Sequence, residues 1–386
     1  MSIEPTRRAW VEVDPAGLRT NFQTIAGRLP RGCGMLPMVK ADAYGTGVER
    51  ALRVLSPLGP WGFGVATVTE GGRLRSLGWA GPVLVFAPLL PDETGDLLEW
   101  RLEPLLSDVE LGAAAGAMAR RAGSALAVHL EVDTGMGRFG VPWPRAAEWA
   151  RRLADVLEDG GLRLRGTMTH FHSAEGPPEP VREQWRRFGG CLDALRGAGV
   201  DPGLVHVANS AAAWRFPEFA ADLVRPGIRL YGGGSWDPPA APVVAVRARV
   251  LDVRDVPAGS TVSYGATWRA PGPARLATLA IGYGDGLRRE LSNRGRVLIH
   301  GRAAPVRGAV CMDVTVVDVS GREDVRRGDV ATVLGRDGEA EIGVAEIAGL
   351  AGTIDYEILT GWSSRLPRVD APTGARPRQG VTGGGR

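Results

Sequence analysis

Between about residues 35 and 230, short apolar runs alternate with longer stretches in which apolar residues recur at helical spacing among Ala and Arg. The apolar runs predict strands at Leu36 to Val39, Gly62 to Ala66, Val83 to Ala87, Leu102 to Leu106, Leu126 to Val132, Leu164 to Thr169, Leu204 to Ala208 and Leu223 to Leu230. The amphipathic segments between them, such as Pro144 to Glu158 and Pro180 to Ala198, are long enough for right-handed crossovers between parallel neighbours. Eight strands in series are the number of a (β/α)8 barrel. An open doubly wound sheet would alternate in the same way, so the count, not the periodicity, favours the barrel.

A Gly- and Pro-rich stretch, Gly232 to Pro242, ends this regime. Beyond it, apolar and polar residues alternate over Val243 to Val253, Ala274 to Ile281, Arg296 to Ile299, Thr315 to Val319 and Asp329 to Leu334, separated by Gly and Asp turns. That pattern predicts a mostly antiparallel β domain. The fold class is therefore α/β, a (β/α)8 TIM barrel over residues 10–240 followed by a β domain over 241–369. Residues 1–9 are a candidate addition to the second domain. Residues 370–386, rich in Gly, Pro and Arg, have little to bury and read as a disordered tail.

The length of 386 residues suits a barrel with a smaller partner domain, and 44% hydrophobic with 23% charged residues excludes disorder of the whole chain. Forty-six basic against 43 acidic residues leave a net charge of +3, too little to indicate a nucleic-acid surface. Three cysteines, Cys33, Cys191 and Cys311, are an odd number without metal-ligand spacing, which argues against a disulfide framework and a zinc module. The first residues lack the apolar segment of a signal peptide. The longest apolar run, Pro82 to Leu90, is too short to cross a bilayer, so a cytoplasmic protein without membrane partners is expected.

Only one of the 46 basic residues is a lysine, Lys40. Arginine serves wherever charge alone is needed, so the exception points to chemistry that guanidinium cannot do. A desolvated amine can lose its proton near neutral pH and then act as a base or form a Schiff base. Lys40 ends the first predicted strand, in MVKADAYGTG, where a barrel opens into its active-site mouth. Tyr44 is either a packed aromatic or a phosphate contact above Lys40.

Other polar candidates also follow predicted strands. Arg138, in EVDTGMGRFG, is either a solvated loop residue or a fork for a carboxylate. His170 and His172, in MTHFHS, share a face; without a third ligand nearby they read as hydrogen-bonded histidines rather than a metal site. Asn209 and Ser210 follow the seventh strand, and Arg225, Gly227 and Ile228 lie within the eighth, where barrels commonly hold a phosphate. An amine facing a phosphate cradle fits pyridoxal 5'-phosphate, with Arg225 available to the pyridine nitrogen.

The ordered strings VKADAYGTG, VDTGMGRFG, MTHF, ANSAA, VRPGIRLYG, VSYGATW, GYGDG, VCMD and TIDYEIL make the chain similar to the alanine racemase family along nearly its whole length. That resemblance implies a barrel carrying the cofactor, a C-terminal β domain, and a homodimer in which one subunit's β domain completes the other's active site. Position by position, it implies that Lys40 holds the cofactor and that Tyr264, from the partner, is the opposing acid/base. Tyr44, Ser210, Gly227, Ile228 and Tyr356 would bind the phosphate. Arg138 and the backbone at Met312 would take the substrate carboxylate, while Tyr283 and Asp313 line its approach. Arg225 would face the ring nitrogen, and His170 would link Arg225 to Tyr264.

The chemistry agrees with those roles, because racemisation needs one proton-transfer group on each side of Cα. Glu131 stands where many relatives have a lysine that becomes carbamylated, and Asp42, Thr46, Ala309 and Val314 also depart from the usual pattern. These departures keep a racemase of broader range, or one acting on serine as well as alanine, as an alternative. A non-catalytic pyridoxal-phosphate carrier resembles the barrel alone, so the β domain argues against it.

Overall fold

The protein, a computed structural model, is described over residues 7–372. The first strand, β1 (Ala9–Val13), precedes helix α1 (Pro15–Ala26), whose N-terminus is capped by Asp14 accepting from the Ala16 N–H. Eight parallel barrel strands follow: β2 (Gly34–Met35), β3 (Phe63–Val65), β4 (Val83–Pro88), β5 (Glu103–Leu106), β6 (Leu126–Asp133), β7 (Leu162–Met168), β8 (Leu204–Asn209) and β9 (Leu223–Arg225). From β3 to β9 each pairs with its sequence neighbour, and β9 returns to β2. The ring closes between β2 and β3 through a parallel bridge from Met38 to Gly64, supported by Val39 N–H on Gly64 O at 2.8 Å. The closed circuit selects the barrel over the open sheet.

The first and last predicted barrel strands differ from the structure for a common reason. Regular pairing in β2 ends at Met35, before Pro37, although Leu36 and Met38 still donate to Val224 O and Pro226 O. The eighth prediction, Leu223 to Leu230, stops at Arg225. Pro226 offers no N–H to continue a ladder, and Ile228–Tyr231 winds into a tight turn instead.

The crossover helices are amphipathic as their spacing requires. Between β6 and β7, Ala146–Glu158 buries Trp149, Ala150, Leu153 and Val156, and between β7 and β8, Pro178–Gly197 buries Val181, Phe188, Cys191 and Leu195. Inside the barrel, a Cβ at Gly166 of β7 would lie only 2.6 Å from Nδ1 of His129 on β6. Glycine there makes room for a buried imidazole.

The second sheet contains β10 (Val244–Val256), β11 (Ala274–Leu279), β12 (Arg296–Ile299), β13 (Arg302–Pro305), β14 (Thr315–Asp318), β15 (Val330–Asp337), β16 (Ala340–Ile342) and β17 (Arg368–Asp370). Its main order is β13-β12-β15-β10-β1-β17, with β11 joining β10 to β14. Thus Ala9–Val13, mostly grouped with the barrel in the sequence reading, lies in this sheet, antiparallel to β10 and parallel to β17. Burying Val11 and Val13 between those neighbours accounts for the placement. Two short helices, Val344–Ala351 and Asp355–Thr360, were not legible as such, and the second carries Tyr356. Of the predicted tail, 373–386 lie outside the described residues, whereas Asp370 pairs with Val13. Among the described residues no helix is long and apolar enough to cross a membrane.

Candidate active site

Lys40 emerges from the β2 side of the barrel and leads into an unusual turn. Ala41, Asp42 and Ala43 have φ/ψ of 53/50°, 52/48° and 55/54°, and Tyr44 has φ 55°. Four successive non-glycine residues in the left-handed region cost about 4–8 kcal/mol of backbone strain. Burial holds the Lys40 ammonium below its usual pKa. Arg138 and Arg225 push in the same direction, and Glu70 opposes them.

At the end of β9, Arg225 is buried among neutral acceptors. Its Nη1 donates to His206 O at 2.7 Å and His206 Nδ1 at 3.2 Å. Its Nη2 donates to Thr169 O at 3.0 Å, Val207 O at 3.1 Å and His170 Nδ1 at 3.2 Å. Burial lowers the Arg225 pKa to about 10, with Glu131 opposing the shift and Arg138 adding to it; the guanidinium still stays charged at neutral pH.

Because arginine only donates, these bonds fix a tautomer chain. His206 accepts at Nδ1 and so carries its proton on Nε2, which lies 2.9 Å from His129 Nδ1. His129 therefore carries its proton on Nε2, 3.0 Å from the Glu103 carboxylate. His129 and His206 are held below the usual histidine pKa, chiefly by burial. By the same logic His170 accepts from Arg225 and presents an Nε2–H. Its described neighbour there is the Asn209 amide nitrogen at 3.4 Å, also a donor because Asn209 Oδ1 accepts from Ala212 N–H. The His170 Nε2–H thus has no acceptor among these described pairings.

The phosphate candidates converge at the end of β9. Ser210 Oγ accepts the Gly227 N–H at 2.8 Å, and a Cβ on Gly227 would collide with the Tyr44 hydroxyl. Tyr44 stacks on Tyr231 with centroids 4.7 Å apart, while Tyr356 approaches to 6.2 Å. Burial raises the Tyr44 pKa and pushes that of Tyr356 to about 12, so both hydroxyls remain donors. Ile228 is buried beneath this corner.

Arg138 lies on the exposed loop after β6, its guanidinium 5.5 Å from the Phe139 ring centre. Glu131 sits below at 3% exposure and accepts from Ser107 Oγ at 3.4 Å. Its pKa is raised by burial, with Arg138 and Arg225 pulling it back. Gln184, which the sequence reading passed over, ties Thr134 Oγ1 to His170 O and braces both loops. His206, His129 and Glu103 were also missed because each occupies an ordinary strand position.

Tyr264, Tyr283, Met312 and Asp313 form a different cluster, on the second domain. Tyr283 N–H donates to Cys311 O at 2.9 Å and Gly284 N–H to Met312 O at 2.8 Å. Ser263 Oγ, beside Tyr264, donates to Ala309 O at 2.6 Å. Arg365 holds Asp313 at 2.7 Å. The side chains face outward: Tyr264 is 74% exposed and Met312 52% exposed. His172 Nδ1 meets Ser173 Oγ at 2.6 Å, and among the described residues no three His, Cys, Asp or Glu side chains are grouped to hold a metal.

The residues present fit pyridoxal phosphate. An amine with a lowered pKa and a cradle of neutral hydroxyls suit its aldehyde and phosphate. The Arg225 terminal nitrogens are taken, and no described side chain or carbonyl takes its Nε–H, a donor of the kind the ring nitrogen would need.

Two family profiles match: "Alanine racemase, N-terminal domain" over residues 13–235 and "Alanine racemase, C-terminal domain" over 243–370. The alanine racemase of Carboxydothermus hydrogenoformans is 41% identical over 370 residues, covering 94% of this chain and 99% of that protein. The crystal structure of alanine racemase from D-cycloserine-producing Streptomyces lavendulae superimposes with a TM-score of 0.90 at 32% identity, covering 96% of this chain and 98% of that one. The enzyme from Bartonella henselae, described with covalently bound pyridoxal phosphate, superimposes with a TM-score of 0.86 at 26% identity, over 95% of this chain and 100% of that one.

Proposed function

The chain belongs to the alanine racemase family and interconverts L- and D-alanine with pyridoxal phosphate, and from that premise we propose that it works as a homodimer with Lys40 and the partner subunit's Tyr264 on opposite faces of the substrate. When bound, the cofactor supplies an aldehyde that Lys40 can hold and an electron-withdrawing ring that acidifies the Cα proton. Arg138, with the N–H at the partner's Met312, orients the alanine carboxylate. The Lys40 amine takes or returns a proton at Cα from one side, and the phenol of the partner's Tyr264 does so from the other. The two directions of reaction exchange these roles.

Burial and the neighbouring guanidiniums favour the neutral amine of Lys40, as a base near neutral pH requires. The His170 Nε2–H donates to the oxygen of the partner's Tyr264 and orients it. Arg225 keeps its proton and gives the ring nitrogen a hydrogen bond only. A hydrogen bond without proton donation would limit the electron withdrawal of the ring, and so would favour return of a proton at Cα over amino transfer. Tyr44, Ser210, Tyr356 and the backbone at Gly227 and Ile228 hold the phosphate, while Tyr283 and Asp313 line the route in. The free thiols Cys33, Cys191 and Cys311 suit a reducing compartment, so we place the enzyme in the cytoplasm.

The observation that carries the shared site is the 74% exposure of Tyr264, on a face whose neighbours include the outward Met312 and Tyr283. Mixing Lys40→Ala and Tyr264→Phe chains under subunit exchange tests it. Each homodimer is expected to be inactive, and the hybrid regains activity because one of its two sites keeps both groups. No recovery in hybrids shown to have formed would reject the shared site.

A further inference from the structure

The left-handed turn after Lys40 is closed internally by Ala43 N–H on Val39 O at 2.9 Å, Gly45 N–H on Ala41 O at 2.9 Å and Val48 N–H on Asp42 Oδ1 at 2.8 Å. Charged side chains hold both of its ends from outside: Arg368 Nε donates to Gly45 O at 3.0 Å, and Glu70 takes the start. Glu70 Oε1 accepts the Ala41 N–H at 2.7 Å, while Glu70 Oε2 accepts the Ala66 N–H at 2.7 Å. Glu70 is the third residue of helix Val68–Ser76, whose N-cap Thr67 accepts from the Glu70 N–H. In a capping box of this spacing the glutamate would turn back to the Thr67 N–H. Here it gives up that bond and joins the peptide after Lys40 to the peptide after β3, across the seam where β2 and β3 close the barrel.

We propose that Glu70 is a positioning residue for Lys40. Its carboxylate fixes the strained peptide from which the amine projects, and supplies the negative charge that offsets Arg138 and Arg225 at the amine. Among the described residues of the same chain, those two guanidiniums, Glu70 and the buried neutral His170 bear on Lys40. The proposal rests on Lys40 being the cofactor-bearing amine.

The test compares holoenzymes carrying Glu70→Gln, Glu70→Asp and Asp14→Ala, the last removing a helix cap far from the mouth. With Glu70→Gln, kcat is expected to fall about tenfold with KM for alanine nearly unchanged. Amide exchange across residues 40–44 should accelerate about tenfold, and the pH midpoint of kcat assigned to Lys40 acting as a base should move down by about half a unit, since the protonated Lys40 nitrogen loses a neighbouring negative charge. Glu70→Asp keeps the charge but shortens the reach, so it should speed exchange without moving the midpoint. Asp14→Ala should lower the melting temperature and leave exchange at 40–44, kcat and the midpoint alone. Wild-type exchange and midpoint in Glu70→Gln, or an Asp14→Ala variant that reproduces its changes, would overturn the proposal. Borohydride reduction of wild type followed by peptide mapping separates the two readings. Failure to label Lys40 rejects the assignment beneath it, whereas labelling without a Glu70→Gln effect rejects the staple alone.

Discussion

Arg225 and His206 are bonded twice, the same guanidinium nitrogen donating to the imidazole Nδ1 at 3.2 Å and to the carbonyl oxygen at 2.7 Å. The arginine is thereby fixed in a shell that, among the described residues, contains no carboxylate in hydrogen-bond contact, and the protonation of three histidines follows from its being a pure donor.

Replacing this cation by Arg225→Glu should change what the enzyme does as well as how fast. A carboxylic acid can share a proton with the ring nitrogen, which strengthens electron withdrawal. Racemisation is expected to fall by at least about a hundredfold, pyruvate formation from alanine should rise, and a long-wavelength absorption should persist during turnover. An unchanged spectrum would count against the role given to Arg225.

Stability should drop with acid. His129, His170 and His206 all have folded pKa values below the unfolded value, so the unfolded chain binds protons first as pH falls below about 6.5. Their contribution is fully present above that pH and is lost progressively below it. The limiting slope is on the order of 4 kcal/mol per pH unit for the three together, until the folded pKa values are reached. Urea unfolding at pH 7.5 and 5.5 measures the slope, and equal stabilities at the two pH values would refute the neutral histidine chain.

Gly227→Ala should damage the cofactor corner. The new Cβ falls on the Tyr44 hydroxyl, which is itself packed on Tyr231. Relieving the clash costs roughly 1–3 kcal/mol, and pyridoxal phosphate affinity should weaken at least about tenfold. Equilibrium titration of the apoenzyme checks this, with wild-type affinity as the contrary result.

Glu131 already places a carboxylate beneath Arg138, so added bicarbonate should leave activity unchanged. Glu131→Gln keeps the shape and removes the charge; KM for alanine should rise severalfold, by less than about tenfold, as the field orienting Arg138 weakens. Rescue of wild-type activity by bicarbonate, or an unaltered KM in the variant, would contradict this account.

Lys40 was legible because a lone lysine among arginines at a strand end is a chemical signal that needs no coordinates. The motif tyrosines and Arg225 could likewise be placed by their order in the chain. Glu70 was hidden by its apparent place in a capping box, and Glu103, His129 and His206 by strand positions that reveal no partner until the barrel closes. Arg138 shows the opposite limit. Its motif marks it as a fork for a carboxylate, but the exposed loop leaves it coupled to Glu131 through charge alone, with no described hydrogen bond between them.

The strand Ala9–Val13 occupies an interior place between Val244–Val256 and Arg368–Asp370. On the ribosome, therefore, this segment, made before the barrel, must wait for strands made after it before its sheet is complete, while the barrel can assemble in the interval. A nascent chain halted between the two domains would leave that early segment with both backbone edges uncovered, ready to pair with a stranger.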